Sequence, residues 1–256
     1  MIRRLAWTVL AVAVVAVPSR AQVSGDSIQV QSLVTRVPEP APEPRPGRGG
    51  IGGQMGISAM PGNEDYSAGA SPRFSFSGHW RYQMTGNLRL QVSPGFLWAG
   101  YTENEAAPFT DINFPNDTTK KDYISLMIPI SAQIQFVGHR GPWVWYVGAG
   151  PGLHRVWVEN HRKVLRDPQS LVLHRGLYLG ASGQIGVERF LKSLPTTSIE
   201  VSWDFHWADA TRDDQFPSGY NSTVIASGFR VGGNYYFDPG ADEKNKPAEL
   251  PGTKKP

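Results

Sequence analysis

Cysteine is absent from this 256-residue chain. Its absence excludes disulfide scaffolds, thiolate zinc sites, cysteine nucleophiles and lipid attachment at an N-terminal cysteine. Long apolar runs are missing too. The longest, Leu5 to Val17, is too short for a bilayer-crossing helix, which needs about 20 residues. Mean hydropathy is −0.32, too polar for a bundle of membrane helices. Charge is scarce, at 18% Asp, Glu, Lys and Arg. No phosphate loop, dinucleotide fingerprint or calcium-loop spacing occurs. The 6 His match no metal template, so no cofactor or metal site is expected. Glycine is plentiful, at 28, as are aromatics, with 8 Trp, 9 Tyr and 11 Phe. That combination suits closely spaced strands better than helices.

Residues 1–21 read as a cleaved secretory signal peptide. Arg3 and Arg4 precede the apolar run, Pro18 ends it, and Ser19-Arg20-Ala21 supplies small residues before a cut at Gln22. Arg3, Arg4 and Arg20 are three of the 25 basic residues, so the mature chain balances 22 basic against 22 acidic side chains. The precursor's pI of about 9.1 is therefore no argument for nucleic acid. Residues 22–50 form a linker whose Pro38 to Pro46 stretch favours extended polyproline II. Residues 238–256 are Lys-rich, lack aromatics and are expected to be a disordered tail. Residues 51–237 carry the fold.

Across 51–237, apolar and polar residues alternate with period two in eight segments. The fourth is the cleanest: Ile124, Leu126, Ile128, Ile130, Ala132, Ile134 and Phe136 alternate with Ser125, Ser131, Gln133 and Gln135. The second sets Phe74, Phe76, Trp80, Tyr82 and Met84 against Arg73, Ser75, Ser77, His79, Arg81 and Gln83. The seventh sets Ile199, Val201, Trp203, Phe205 and Trp207 against Ser198, Glu200, Ser202, Asp204 and His206. The polar face is rich in Gly and Ser, which suits the crowded lumen of a closed eight-stranded barrel better than a solvated surface. The apolar face then meets lipid. The links run 60–72, 85–87, 102–122, 138–142, 158–175, 191–196 and 208–223, long and short in strict alternation, as in barrels with short turns at one end and loops at the other. The expectation is an all-β, eight-stranded antiparallel up-and-down transmembrane β-barrel with a side-chain-filled lumen. Phe74, Trp98, Tyr101, Trp157 and Trp207 would form one aromatic girdle, and Tyr82, Phe136, Trp143, Phe190, Tyr235 and Phe237 the other.

Three stretches carry a family resemblance. Tyr123 to Phe136 (YISLMIPISAQIQF) resembles a central apolar barrel strand, and Tyr146 to Gly152 the Gly-rich strand that follows it. Arg230 to Phe237 resembles a C-terminal insertion signal: polar, any, Gly, any, any, aromatic, any, aromatic, borne by Arg230, Gly232, Tyr235 and Phe237. Over 51–237 the chain thus resembles the small eight-stranded outer-membrane barrels of the OmpA, OmpX and opacity type. The resemblance implies residence in the outer membrane of a Gram-negative envelope, with linker and tail in the periplasm. It implies outer-membrane lipid as surroundings, the barrel-assembly machinery as folding partner, and a monomer. The residues after Phe237 are too few for a peptidoglycan-binding domain.

Arg73, Arg81, Arg89 and Arg230 share the lumen face with Glu188, Glu200 and Asp204, and buried charges need partners. An internal ion-pair network is expected, with Arg230 facing Glu200 or Asp204. It serves as a structural plug in one reading and as a gate on a narrow ion or solute path in another. Catalysis is not expected. In His206-Trp207-Ala208-Asp209, Ala208 stands where barrel lipid deacylases carry a nucleophilic Ser. Loops 102–122 and 208–223 are candidates for an extracellular ligand. A structural or surface-interaction role is the leading reading; the alternatives are a channel, a lipid-acting enzyme and a soluble secreted β-sandwich.

Overall fold

The computed structural model describes residues 45–61, 70–101, 112, 113, 115, 123–210 and 223–237. The signal peptide, most of the linker, the tail and most of the two candidate ligand loops lie outside the described residues. Nine strands occur among the described residues: β1 (Gly49–Ala59), β2 (Ala70–Gln83), β3 (Leu88–Tyr101), β4 (Tyr123–Arg140), β5 (Trp143–Asn160), β6 (Lys163–Val164), β7 (Arg175–Leu191), β8 (Leu194–Ala208) and β9 (Val224–Phe237). Eight of them build one wall, every neighbour antiparallel; β6 is a two-residue hairpin strand that pairs only with β5. The first strand pairs with β2 on one side and β9 on the other, so the sheet closes and has no open seam. β1 begins at Gly49, two residues before the boundary expected from the sequence.

Closure fixes the geometry. Gly49 pairs with Tyr82, Tyr82 with Leu90, Leu90 with Ile134 and Ile134 with Ala149. The path continues through Gly183, Phe205 and Ser227 and returns to the first strand at Ala59, ten residues from its start. With about 3.3 Å per residue and about 4.8 Å between strands, that stagger over eight strands corresponds to a tilt of about 41°. Ten residues at this tilt rise about 25 Å, the height of the apolar band of a membrane barrel.

The alternation is inverted relative to a soluble protein. Trp203 is 60% exposed and Leu179 74%, whereas Arg81 is 1% and Glu188 0% exposed. The expected faces hold along most of each strand, with exceptions near the ends. A bulge between Pro72 and Phe76 breaks the pairing of β2 with β3. There Arg73 is exposed and its guanidinium lies against Gly100. The expectation that it joins the lumen network is therefore corrected: the extra residue turns its side chain away from the lumen. Phe190, expected in a girdle, is buried with its ring 5.3 Å from that of Tyr236.

Inside, the barrel is layered along its axis. At the turn end Val137, Val144, Tyr146, Phe190 and Tyr236 form a small apolar cap. At the loop end Leu97, Tyr123, Met127, Val156, Val158 and Ala226 belong to a larger one. Leu165, just past β6, is fully buried in that cap, and Val172 packs against it. The Leu165 N–H donates to the Val158 carbonyl (2.9 Å) and the His174 N–H to the Leu165 carbonyl (2.7 Å), so this segment folds back along β5. Asp167 shapes it by accepting from the N–H groups of Gln169 (2.9 Å) and Ser170 (2.7 Å). Burial pushes the Asp167 carboxyl up, but these hydrogen bonds outweigh it and hold the group below the usual carboxylate range. Polar side chains fill the space between the caps.

Candidate functional site: two clusters in the lumen

The lower polar cluster, nearer the turns, gathers one cationic side chain from each of β2 and β3 and one carboxylate from each of β7 and β8. Arg81 lies 2.8 Å from Glu188 and 2.6 Å from Glu200. Arg89 lies 2.6 Å from Glu188. The two positive and two negative charges cancel inside the tube, which burial demands. Most remaining donors and acceptors are used. The Nε of Arg81 donates to Gln91 (2.6 Å) and that of Arg89 to Gln135 (2.7 Å). The Tyr236 hydroxyl donates to Glu188 (2.6 Å), the Tyr146 hydroxyl to Glu200, and Asn234 to Glu200 (2.9 Å). Both guanidinium groups also lie over the Tyr146 ring, at 5.3 and 4.6 Å. Gln91 donates to Gln184 (2.7 Å), which donates to Gln54 (3.4 Å). Through Gln54, Arg81, Arg89, Gln135, Tyr146, Glu188, Glu200 and Tyr236, all eight wall strands share one network.

Gly52 shows how closely this region is filled. A Cβ there would run into the Asn234 amide and the His79 ring, which meet at 2.6 Å. Glycine lets the wall recede where two polar side chains cross.

The upper cluster lies between this network and the loop-end cap. Arg230 is 3.1 Å from Asp204. Asp204 is also 2.9 Å from His206 Nε2, close enough for charge pairing but off the hydrogen-bonding angle. The opposite ring nitrogen of His206 is 2.8 Å from the Ser182 hydroxyl, which lies 3.4 Å from His154. Several buried atoms here, including Asp204 Oδ1, Arg230 Nε and His154 Nδ1, have no hydrogen-bond partner among the described residues. Serine, histidine and aspartate thus stand in the order of a hydrolase relay. But Ser182 is 1% exposed, and the loop-end cap lies between it and the mouth.

The seven ionic residues expected in the lumen divide as follows. Arg81, Arg89, Glu188 and Glu200 form the lower cluster; Arg230 and Asp204 meet in the upper one; Arg73 belongs to neither. Sequence reasoning missed Tyr146 and Tyr236 as donors to the carboxylates. It also missed Ser182, because it sought a hydroxyl along β8 at Ala208, whereas Ser182 faces His206 from the neighbouring strand. A register between the sixth and seventh segments would have revealed that pair. In the insertion motif, Tyr235 is exposed on the outside, Arg230 is buried, and Gly232 has β1 backbone where a side chain would go.

A closed sheet with its apolar residues outside and its ions inside decides the architecture. The fold is that of a small eight-stranded outer-membrane β-barrel. No family model and no curated protein matches the chain. Among solved structures, the barrel is similar to neisserial surface protein A, at 14% identity over 75% of this chain and 97% of that one, with a TM-score of 0.47. It is also similar to the outer membrane protein OprG of Pseudomonas aeruginosa, at 11% identity over 77% and 99%, with a TM-score of 0.45. A third is Ail, the attachment invasion locus protein of Yersinia pestis, at 14% identity over 75% and 99%, with a TM-score of 0.40.

Proposed function

We propose that this protein is an integral outer-membrane barrel with a structural or surface-interaction role and no catalysis. One observation carries this reading: the wall is apolar outside while the lumen is cross-linked by ions and capped at both ends. Such a tube holds a membrane position and presents loops, and it leaves no continuous polar path for solutes. The signal peptide exports the chain, and the barrel-assembly machinery reads Arg230, Gly232, Tyr235 and Phe237. Loops 102–122 and 208–223 carry the recognition surface.

Fractionation with a denaturing gel tests the reading. The protein is expected in the detergent-extracted outer membrane, migrating faster unboiled than boiled because closed barrels resist denaturation until heated. Recovery in the soluble periplasm without detergent overturns it. Planar bilayers carrying the pure protein are expected to show no steady openings; regular single-channel steps would restore the channel reading.

The contact of Ser182, His206 and Asp204 favours a second reading, a lipid-acting hydrolase. Mass spectrometry of membrane lipid from cells with the native chain or Ser182→Ala decides it: a deacylated product present only with the native chain would establish the enzyme.

A further inference from the structure

Charged side chains are rare on a lipid-facing barrel wall because hydrocarbon offers them no partner. Arg155 is such a residue. It is exposed on the outward face of β5, between Leu153 and Trp157 along the strand. Its paired neighbours across the wall are Ile128 of β4 and Leu177 of β7. Its guanidinium lies over the Trp157 ring at 5.8 Å. Arg175, also exposed, pairs with Trp157 and is therefore the diagonal neighbour of Arg155. Diagonal positions are about 7–8 Å apart, within reach of two long side chains. Two cations thus flank one tryptophan at the loop end of the apolar band.

The surroundings supply little to neutralise them. Glu159 is the one carboxylate on the outward faces of β4, β5 and β7, and it accepts from the Trp157 indole N–H at 2.7 Å. Toward the loops, the turn and hairpin that follow β5 add exposed Arg162, Lys163 and Arg166. The nearby Asp167 is buried and engaged by Ser170 and Gln169. At the turn end, Arg189 lies over Trp143 at 5.1 Å, but that pair sits at the strand ends, where the side chain reaches water directly. The along-strand and directly paired neighbours of Arg155, namely Leu153, Trp157, Ile128 and Leu177, are all apolar, and its one charged neighbour is the diagonal Arg175.

We propose that Arg155 and Arg175, astride Trp157, bind the phosphate of a lipid headgroup in the leaflet at the loop end. A phosphate accepts from two guanidinium groups at once and cancels their charge at the edge of hydrocarbon. The lipid's acyl chains then lie along Ile128, Leu153 and Leu177 below. The occupant is a lipid and not a free anion, because the cations are set in an apolar face. The proposal rests on the membrane reading given above.

Native mass spectrometry of the full chain, refolded in micelles containing equal dioleoylphosphatidic acid and dioleoylphosphatidylcholine, tests it. The native chain is expected to retain one more phosphatidic acid than Arg155→Gln/Arg175→Gln, with no such difference for phosphatidylcholine. Lys192→Gln, in the turn after β7, is expected to match the native count. Arg155→Gln alone gives the same reading should the double variant refold poorly. Equal counts in native and variant chains overturn the inference, as does release of the extra lipid by inorganic phosphate. Insertion into lipid vesicles, scored by the unboiled gel shift, separates the two failures. A chain that inserts without lipid preference sinks only this inference, whereas one that never inserts sinks the membrane reading too.

Discussion

The lower and upper lumen clusters lie in the same tube, yet their chemistry is organised differently. In the lower one, two arginines and two glutamates cancel, and tyrosines, glutamines and Asn234 occupy most remaining sites. In the upper one, Asp204 serves Arg230 and His206 with poor angles, and several buried polar atoms have no partner among the described residues. The contrast teaches where rigidity is stored. A set whose charges are all paired punishes the deletion of any ionic member, because each such removal leaves a charge in low dielectric. A set with unused capacity can re-pair around a loss.

The largest expected effect comes from breaking the lower cluster. Glu188→Ala leaves Arg81 and Arg89 sharing one carboxylate and is expected to cost about 3–5 kcal/mol. It would be measured by denaturant unfolding in lipid vesicles. A loss no greater than that of an upper-cluster variant would erase the proposed distinction. Gly52→Val comes next, at about 1–3 kcal/mol, because its side chain displaces His79 and Asn234 from the edge of the same network. In the upper cluster Ser182→Ala removes a neutral contact to His206 and leaves Arg230 paired with Asp204; about 1 kcal/mol is expected in the same assay. A cost as large as that of Glu188→Ala would show that the upper cluster is equally indispensable.

The smallest effect lies outside the membrane, at Asp167. Its folded-state carboxyl is held below the ordinary value, so its contribution is complete above the unfolded value of about 3.9 and is lost as pH falls through the lower folded value. Asp167→Ala should speed amide exchange at Gln169 and Ser170 at neutral pH. In the native chain the same amides should lose protection only under strong acid. Equal protection in both chains would remove this role.

The barrel was legible in the sequence because its two environments differ so sharply. Only a strand's period of two puts Ile128, Ile130 and Ile134 on one face and Gln133 and Gln135 on the other. Depth was less legible than facing. Met127 and Val156 occupy inward positions that are polar further down the same strands, and alternation says nothing about where a lumen turns from ionic to apolar. Arg73 was misplaced because a bulge cancels the parity argument within a few residues. Ser182 was missed because its partner lies across a strand pairing that periodicity within one segment does not specify.

The network joining every wall strand also bears on how the tube is born. Glu188 and Glu200 reside on β7 and β8, while the arginines they neutralise come from β2 and β3, near the opposite end of the chain. Until the first and last strands join, those ions lack their counterparts in an environment hostile to bare charge. The final zipping of the seam is therefore also the act of neutralisation, and peeling the finished cylinder apart would have to undo both together.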